Sequence, residues 1–588
     1  MDRERNPLGR GGLPLFECLL LLCLLGCSAT AESRRARMEA RATRPRLVVG
    51  IIVDQMRYDY LARFWNGFTE GGFRRLAREG TAFAHCNYNY VPTETAPGHA
   101  SIFTGTTPSV HGIIMNEWMD QHSIAAGKLR LHSSVEDSSQ PWIGLPPQMG
   151  FGRGASPFRL DAPTVADQMK QATGGKSVTV GISLKDRSAI LPAGKSADIA
   201  FWQDEITGNM CSSTYYPMAS SGACSWVDSV NQAQTPLRYL LDTAGWTLLL
   251  PPSRYRASDA LSDNRYECAF SGSDRTTFPH LLHPDSMRGC SEFRGTPWGN
   301  TFLKDFGKLV ISHLQLGMDS IPDFLSISFT STDIVAHFFG PDSREVEDTY
   351  YRLDRDLEDF LSFLDARIGK ENVLVFLTAD HGAASNPTYA IDHGEVGGWI
   401  EPAAMREKIR ARLGDEPGKD SLLSVIRGHS IYLNRSLAAR RNLRLDSLSR
   451  VVADVIRESP GVDQVMTASE LLAMTTPTGP AQFLRNGFHQ DRSGDVLYLA
   501  SYGYQPSIFP PTDRRFKKGT SHSTHHEYDT HVPLLWWGSS VRPGKSDASV
   551  VITDIAPTVC KRLGIGIPGK CSGNAIPYLD DNPRSGQR

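Results

Sequence analysis

The sequence predicts an α/β protein, a mostly parallel central sheet with helices on both faces. Two observations carry this. Leu47–Val53 is a continuous apolar, β-branched run, the mark of a strand buried on both faces of a parallel sheet. Three further strand-like runs, 177–183, 323–329 and 372–378, alternate with stretches of helical periodicity. Each run ends at polar residues, where open α/β sheets gather their active sites.

In chain order, the Leu47–Val53 run ends at Asp54, and residues 57–80 read as helical, with Phe73 and Leu76 on the apolar face. The stretch Val91-Pro-Thr-Glu-Thr-Ala-Pro-Gly-His99 opens a helix: Pro97 has no N–H to lose at an early helical position. Thr95 is thereby placed at or next to the N-cap, where unpaired N–H groups favour an anion. Residues 120–160 are rich in Gly, Pro and Ser and read as a loop, and 164–172 read as a helix. The strand at 177–183 runs straight into Leu184-Lys-Asp-Arg187. Residues 203–300 change character, with many Ser, Gly, Tyr, Trp and Pro, and read as a cap insertion over the sheet's active edge. A helix at 301–316 precedes the strand 323–329, which leads to Asp333-Ile-Val-Ala-His337. A long amphipathic helix over 343–367 precedes the strand 372–378, ending at Asp380-His381. Helices at 403–413 and 445–458, strands at 495–500 and 532–537 and a final helix at 555–563 complete the chain, with His522 just ahead of the last strand.

The 588 residues suffice for one large domain with insertions or for two to three ordinary ones. With a net charge of −2 and a pI near 6.8, the composition excludes the basic excess of a nucleic-acid binder. Arg3, Arg5 and Arg10 ahead of the short apolar run Leu19–Leu25 predict an export signal over residues 1–31 and a periplasmic or secreted protein. Ala29-Thr-Ala31 offers a signal peptidase site, and Leu24-Leu-Gly-Cys27 offers lipid attachment at Cys27. No later stretch is long and apolar enough for a transmembrane helix. In an oxidising compartment Cys211, Cys224, Cys268, Cys290, Cys560 and Cys571 form three sequence-local pairs, expected as disulfides whose connectivity the sequence leaves open. Cys86 is left over and reads as a small buried residue.

Asp333 and His337, four apart, face the same way on one helical turn. With Asp54, Asp380, His381 and His522 they supply three carboxylates and three imidazoles, a set that suits zinc without any cysteine. Taken singly, a D-x-x-x-H is more often a surface ion pair and a strand-end Asp a helix cap. Their joint placement at strand ends, beside an anion-binding helix start, reverses those odds.

The motifs V-D-Q-M-R-Y-D-Y (53–60), P-T-E-T-A-P-G-H (92–99), I-S-L-K-D-R (182–187), S-T-D-x-V-x-H (331–337), T-A-D-H-G (378–382) and G-T-S-H (519–522) resemble the alkaline phosphatase superfamily. The similarity is to its PafA-type zinc phosphate monoesterase branch, with a Thr nucleophile, related to the nucleotide pyrophosphatase/phosphodiesterase branch. It covers nearly the whole chain after the signal and implies a catalytic domain over 45–570, with 203–300 as its cap and 571–588 as a tail. It further implies two zinc ions, one held by Asp333, His337 and His522, the other by Asp54, Asp380, His381 and the Thr95 oxygen. Thr95 would carry a phosphothreonine intermediate, with retention at phosphorus. Asn116, Lys185 and Arg187 would bind the nonbridging oxygens, the two cations meeting the extra charge of a monoester. Expected partners are small-molecule phosphate monoesters, with no nucleic acid, and the chain is expected to be a monomer. The alternative is a phosphodiesterase or nucleotide pyrophosphatase on the same scaffold. A remote one is an inactive zinc-stabilised surface protein. A sulfatase is disfavoured, since Thr95 stands where that branch has a convertible Cys or Ser. His99 and His111 are expected to hydrogen-bond the backbone, while His525, His526 and His531 crowd His522 and stand as alternatives to it as the ligand, the Gly-Thr-Ser-His context favouring His522. Ser523 stands where many relatives have Gly.

Overall fold

The computed structural model describes residues 44–579 apart from 122–129, 147–148, 150–152, 234–244, 259–264, 271–272, 274, 282–286 and 417–419. The export signal, Cys27 and the end of the tail (580–588) lie outside the described residues.

The central sheet has eleven strands. Its middle runs Val373–Thr378, Leu47–Val53, Asp323–Phe329, Thr179–Ser183 and Ile199–Gln203, each parallel to the next. The first four of these strands are buried along their whole length, as the apolar runs required. Beyond Val373–Thr378 come His531–Gly538 and Thr81–Asn87, both joined antiparallel, and then Gly544–Val551, parallel to the last of these. Beyond Ile199–Gln203 come Met210–Ser213, Glu136–Ile143 and Gly154–Ala155, all antiparallel. The sheet is therefore mixed with a parallel centre, not mostly parallel. Direction escaped the sequence because His531–Gly538 is as apolar and buried as a parallel strand.

Two further readings are corrected. Residues 120–160 are not merely a loop, since they supply two sheet strands and, at Leu131–Ser133, half of a small hairpin. The expected helix over 57–80 is broken into Tyr60–Arg63, a turn at Trp65–Gly67 and Phe73–Glu79. Asp354 from the long helix Arg344–Arg367 causes the break by accepting the backbone N–H groups of Thr69 and Phe73 at 2.5 and 2.8 Å. A Cβ at Gly72 would lie 2.2 Å from the Asp354 carbonyl oxygen.

The disulfide expectation fails: Cys86, Cys211, Cys224, Cys268, Cys290, Cys560 and Cys571 are all free thiols. The described parts of 203–300 are held by aromatic packing and buried hydrogen bonds instead. Trp226 stacks on His313 with ring centroids 4.6 Å apart. Trp246 donates its indole N–H to Asp348 at 2.7 Å, and the same carboxylate accepts Leu249 N–H at 2.8 Å. The Trp-rich composition was thus a packing signal rather than a sign of covalent staples.

A second, antiparallel sheet was not anticipated. Leu423–Arg427, Ser430–Leu433, Val496–Ala500 and Val462–Thr467 pair in that order and carry their own core with the helices Pro402–Leu413 and Leu445–Arg457. Its first hairpin, turning at Gly428-His429, reaches a cavity lined by Asn116, His337 and His522. Among the described residues, no helix is long and apolar enough to cross a membrane.

Candidate active site

Asp54 follows its strand directly, and Asp380 and His381 follow theirs after one residue. Asp333 and His337 lie on the helix Ser331–Phe339, which starts two residues after the strand Asp323–Phe329 ends. His522 arrives differently. Its loop precedes the antiparallel strand His531–Gly538, and residues ahead of an antiparallel strand lie at the same end of the sheet as residues following parallel ones. All six side chains therefore collect at one edge.

They form two sets, Asp333 with His337 and His522, and Asp54 with Asp380 and His381, each with ligand atoms within 4.8 Å of one another. The imidazoles are oriented alike. Nδ1 of His337, His381 and His522 donates to the carbonyls of Thr520, Gly382 and Thr93 at 2.9, 3.0 and 2.7 Å. A carbonyl can only accept, so in the neutral ring Nε2 carries the lone pair, the arrangement of a metal-ligating histidine; against the effect of burial, Asp333 pulls the His337 pKa upward. Nε2 of His381 and Oδ1 of Asp54 are buried without a hydrogen-bond partner. Three buried carboxylates face one buried ammonium, that of Lys185, so the pocket has an excess of negative charge that divalent cations would balance. Donor type, tautomer and charge all fit two metal ions.

Lys185 Nζ lies between the sets, donating to Asp54 at 2.7 Å and to Asp333 at 2.6 Å, with the Thr95 hydroxyl at 3.4 Å. Burial and the carboxylates of Asp333 and Asp380 push the Asp54 carboxyl well up. Burial acts the same way on Asp333, but His337 and Lys185 outweigh it and hold that carboxyl well below the usual range. His522 is held far down by burial and by the other two imidazoles, which keeps it neutral and able to ligate.

Thr95 is the first residue of the helix Thr95–Thr104, next to the N-cap Glu94, and it is buried. Gly98 lets this helix approach the Asp380 backbone, since a Cβ there would lie 2.3 Å from the Asp380 carbonyl oxygen. Asn116 is locked in place: its Oδ1 accepts Ala96 N–H and its own N–H donates to Glu94, both at 2.8 Å. With Oδ1 occupied, Nδ2 is the end available to a ligand. Arg187 lies in the first turn of the helix Asp186–Ala193, on the wall of a cavity of about 870 Å³ shared with Lys185.

The remaining histidines have other partners, and His99 Nδ1 also lies 3.3 Å from the Asp380 carboxylate. His99 bonds the Thr95 carbonyl and Ser328, and His111 bonds Ser101. His526 and His531 bond the carbonyls of Ala500 and Ala84, and His525 faces Asp463. Ser523 adopts φ +97°, a conformation natural to glycine. Sequence reasoning missed Gln55, whose Nε2 donates to Asp333 at 2.6 Å and whose N–H donates to Asp380 at 3.1 Å, so that it touches both sets. Its φ of +63° marks the position, a backbone feature that no sequence pattern records. Arg427 was missed too, because it comes from the second sheet, pairing with Glu117 at the mouth of the site.

Asp529 closes the His522 loop, accepting the N–H and hydroxyl of Thr524 at 2.7 Å, and burial pushes its carboxyl up to about 7. The folded chain then keeps a proton that the unfolded chain loses near pH 4. This group's contribution is present in full below that value and is lost as pH rises toward 7. Asp529→Asn should remove the dependence. In urea unfolding, the stability of wild type relative to the variant should fall by the order of 2 kcal/mol between about pH 5 and 8. An unchanged difference would show that the carboxylate is ionised throughout.

Comparison with known proteins agrees with this geometry. An alkaline phosphatase, PafA, from Elizabethkingia meningoseptica is 38% identical over 556 residues, covering 94% of this chain and 98% of that protein. The alkaline phosphatase PhoV of Synechococcus elongatus is 36% identical over 569 residues, covering 96% and 98%. The crystal structure of wild-type PafA superposes with a TM-score of 0.83 at 36% identity, over 91% of this chain and 98% of that one. Residues 48–526 match the family described as type I phosphodiesterase/nucleotide pyrophosphatase, and the chain belongs to that family.

Proposed function

We propose that this protein is an alkaline phosphatase that hydrolyses phosphate monoesters broadly, with two zinc ions and a phosphothreonine intermediate on Thr95. The observation that carries the reading is the pair of three-residue ligand sets joined by Lys185, whose ammonium also reaches the Thr95 hydroxyl. Asp333, His337 and His522 would hold one ion, and Asp54, Asp380, His381 and the Thr95 oxygen the other. When bound, the metals supply positive charge to the attacking and leaving oxygens of an in-line displacement.

The chain's own residues do the rest. The helix start aims the Thr95 hydroxyl and adds the positive end of the helix dipole for an anion. Asn116 Nδ2 offers a neutral donor, and Lys185 and Arg187 meet the second negative charge that distinguishes a monoester from a diester. The Thr95 oxygen bonds to phosphorus as the alcohol departs, and water then cleaves the phosphothreonine with net retention. Export is part of the proposal: Arg3, Arg5 and Arg10 before Leu19–Leu25 support a periplasmic or secreted enzyme, with Cys27 as a lipid attachment point.

The test pairs p-nitrophenyl phosphate with bis-p-nitrophenyl phosphate at about pH 8–9, with a chelator and zinc add-back. The expected result is a strong monoester preference, lost on chelation and restored by zinc. Diester preference would transfer the function to the phosphodiesterase reading. Zinc binding without turnover on either ester would leave an inactive zinc protein.

A further inference from the structure

Arg294 ends the helix Met287–Arg294 and is outside the machinery assigned above. Two of its contacts tie it to the site. Nη2 donates to the carbonyl of Leu184 at 3.2 Å, next to Lys185, and Nη1 pairs with Glu205 at 3.0 Å. Arg187 and Arg294 line the same two cavities, of about 870 and 510 Å³, and each has a buried Nε without a hydrogen-bond partner. Two guanidiniums lining the same cavities, each with a buried donor left unmatched, leave positive charge that suits an anion beside Arg294. Burial holds the Arg294 guanidinium below the usual arginine range and the nearby Arg187 adds to this, against the opposing pull of Glu205. Glu205 is 62% exposed and can yield its place to a ligand.

The larger cavity also has a definite relation to the reacting group. Ile334 and Phe338 line it, each one residue beyond Asp333 and His337 on the same helix. Under the phosphatase reading, an alcohol departing on the Asp333/His337/His522 side would have this space beside it. Arg514 and Arg515 line it as well, Arg515 paired with Asp513 at 2.7 Å.

We propose that Arg294 forms a second anion subsite, next to the Arg187 that meets the transferred phosphoryl group, and that it takes a phosphate carried on the leaving alcohol of a bisphosphorylated substrate. The proposal rests on the phosphatase reading and adds a preference to it: among phosphate monoesters, those with a second anionic group are favoured.

The experiment compares alkane-diol bisphosphates of two to six carbons with the matching hydroxyalkyl and carboxyalkyl monophosphates, in the zinc-loaded wild type and in Arg294→Gln and Arg294→Ala. Wild type should show kcat/KM about tenfold higher for the best bisphosphate than for its hydroxyalkyl partner. The variants should lose that advantage while hydroxyalkyl phosphate turnover stays within about twofold. A carboxyalkyl phosphate preferred over the bisphosphate would overturn the choice of a phosphate ligand. Equal loss on all substrates would make Arg294 a positioning residue acting through Leu184, and no wild-type preference would remove the subsite even if the variants failed to fold. Calorimetric binding of the corresponding alkyl bisphosphonates and monophosphonates gives a readout independent of turnover. A protein inert toward every ester that still bound the bisphosphonate more tightly would fail as a phosphatase and keep the subsite, and equal binding would sink the subsite alone.

Discussion

Thr95→Ala should lower kcat/KM for p-nitrophenyl phosphate by at least about 10⁴-fold, with no acid-stable phosphoprotein trapped on quenching. The size follows from the role: without the hydroxyl there is no covalent acceptor, and what remains is metal-assisted attack by water. Stability should change little. The Thr95 hydroxyl accepts a long hydrogen bond from Lys185, at 3.4 Å, and Ala is a better helix former than Thr. Thr95→Ser keeps the nucleophile and should retain activity within about 30-fold of wild type. Alanine and serine variants of equal activity would show that Thr95 does not carry the phosphoryl group.

Replacing Lys185 and Arg187 together with Ala should depress monoester turnover by about 10²- to 10⁴-fold and diester turnover by tenfold or less. A monoester carries two nonbridging charges where a diester carries one, so removing both cations costs the monoester more. The single variants are not equivalent. Lys185 also neutralises Asp54 and Asp333, so Lys185→Ala should disturb metal retention as well as selectivity, seen as a changed zinc content after dialysis. Arg187 pairs only weakly with Asp186, at 3.8 Å, and is the cleaner probe of substrate charge. Equal loss on both esters with zinc content intact would remove the role given to the pair.

Much of the fold was legible because strand burial and strand ends leave direct marks in a sequence. Leu47–Val53 could only be a doubly buried strand, and Asp54, Asp380 and His381 follow from where such strands stop. Pro97 located the Thr95 helix to within a residue. Other features left no mark. Arg294 and Arg427 look like ordinary charged residues until packing brings them to the site, and Gln55 differs from a surface glutamine only in a backbone angle and its two partners. The cysteine spacing misled because proximity in sequence is not the geometry a disulfide needs.

The sequence by itself determined the chemistry on offer: the candidate ligand types, a threonine hydroxyl at a helix start, and the parallel centre of the sheet. These are local properties, set by side-chain type, backbone propensity and hydrophobic period. Only the tertiary structure decided how they combine. The antiparallel entry of His531–Gly538 brings His522 to the edge reached by the parallel strands, and the rings of His337 and His522 are oriented by the carbonyls of Thr520 and Thr93, far away in the chain. Lys185 becomes a bridge between the two carboxylate–histidine sets because two separate strands end within reach of its ammonium. Those outcomes depend on contacts between residues hundreds of positions apart, which no local pattern records.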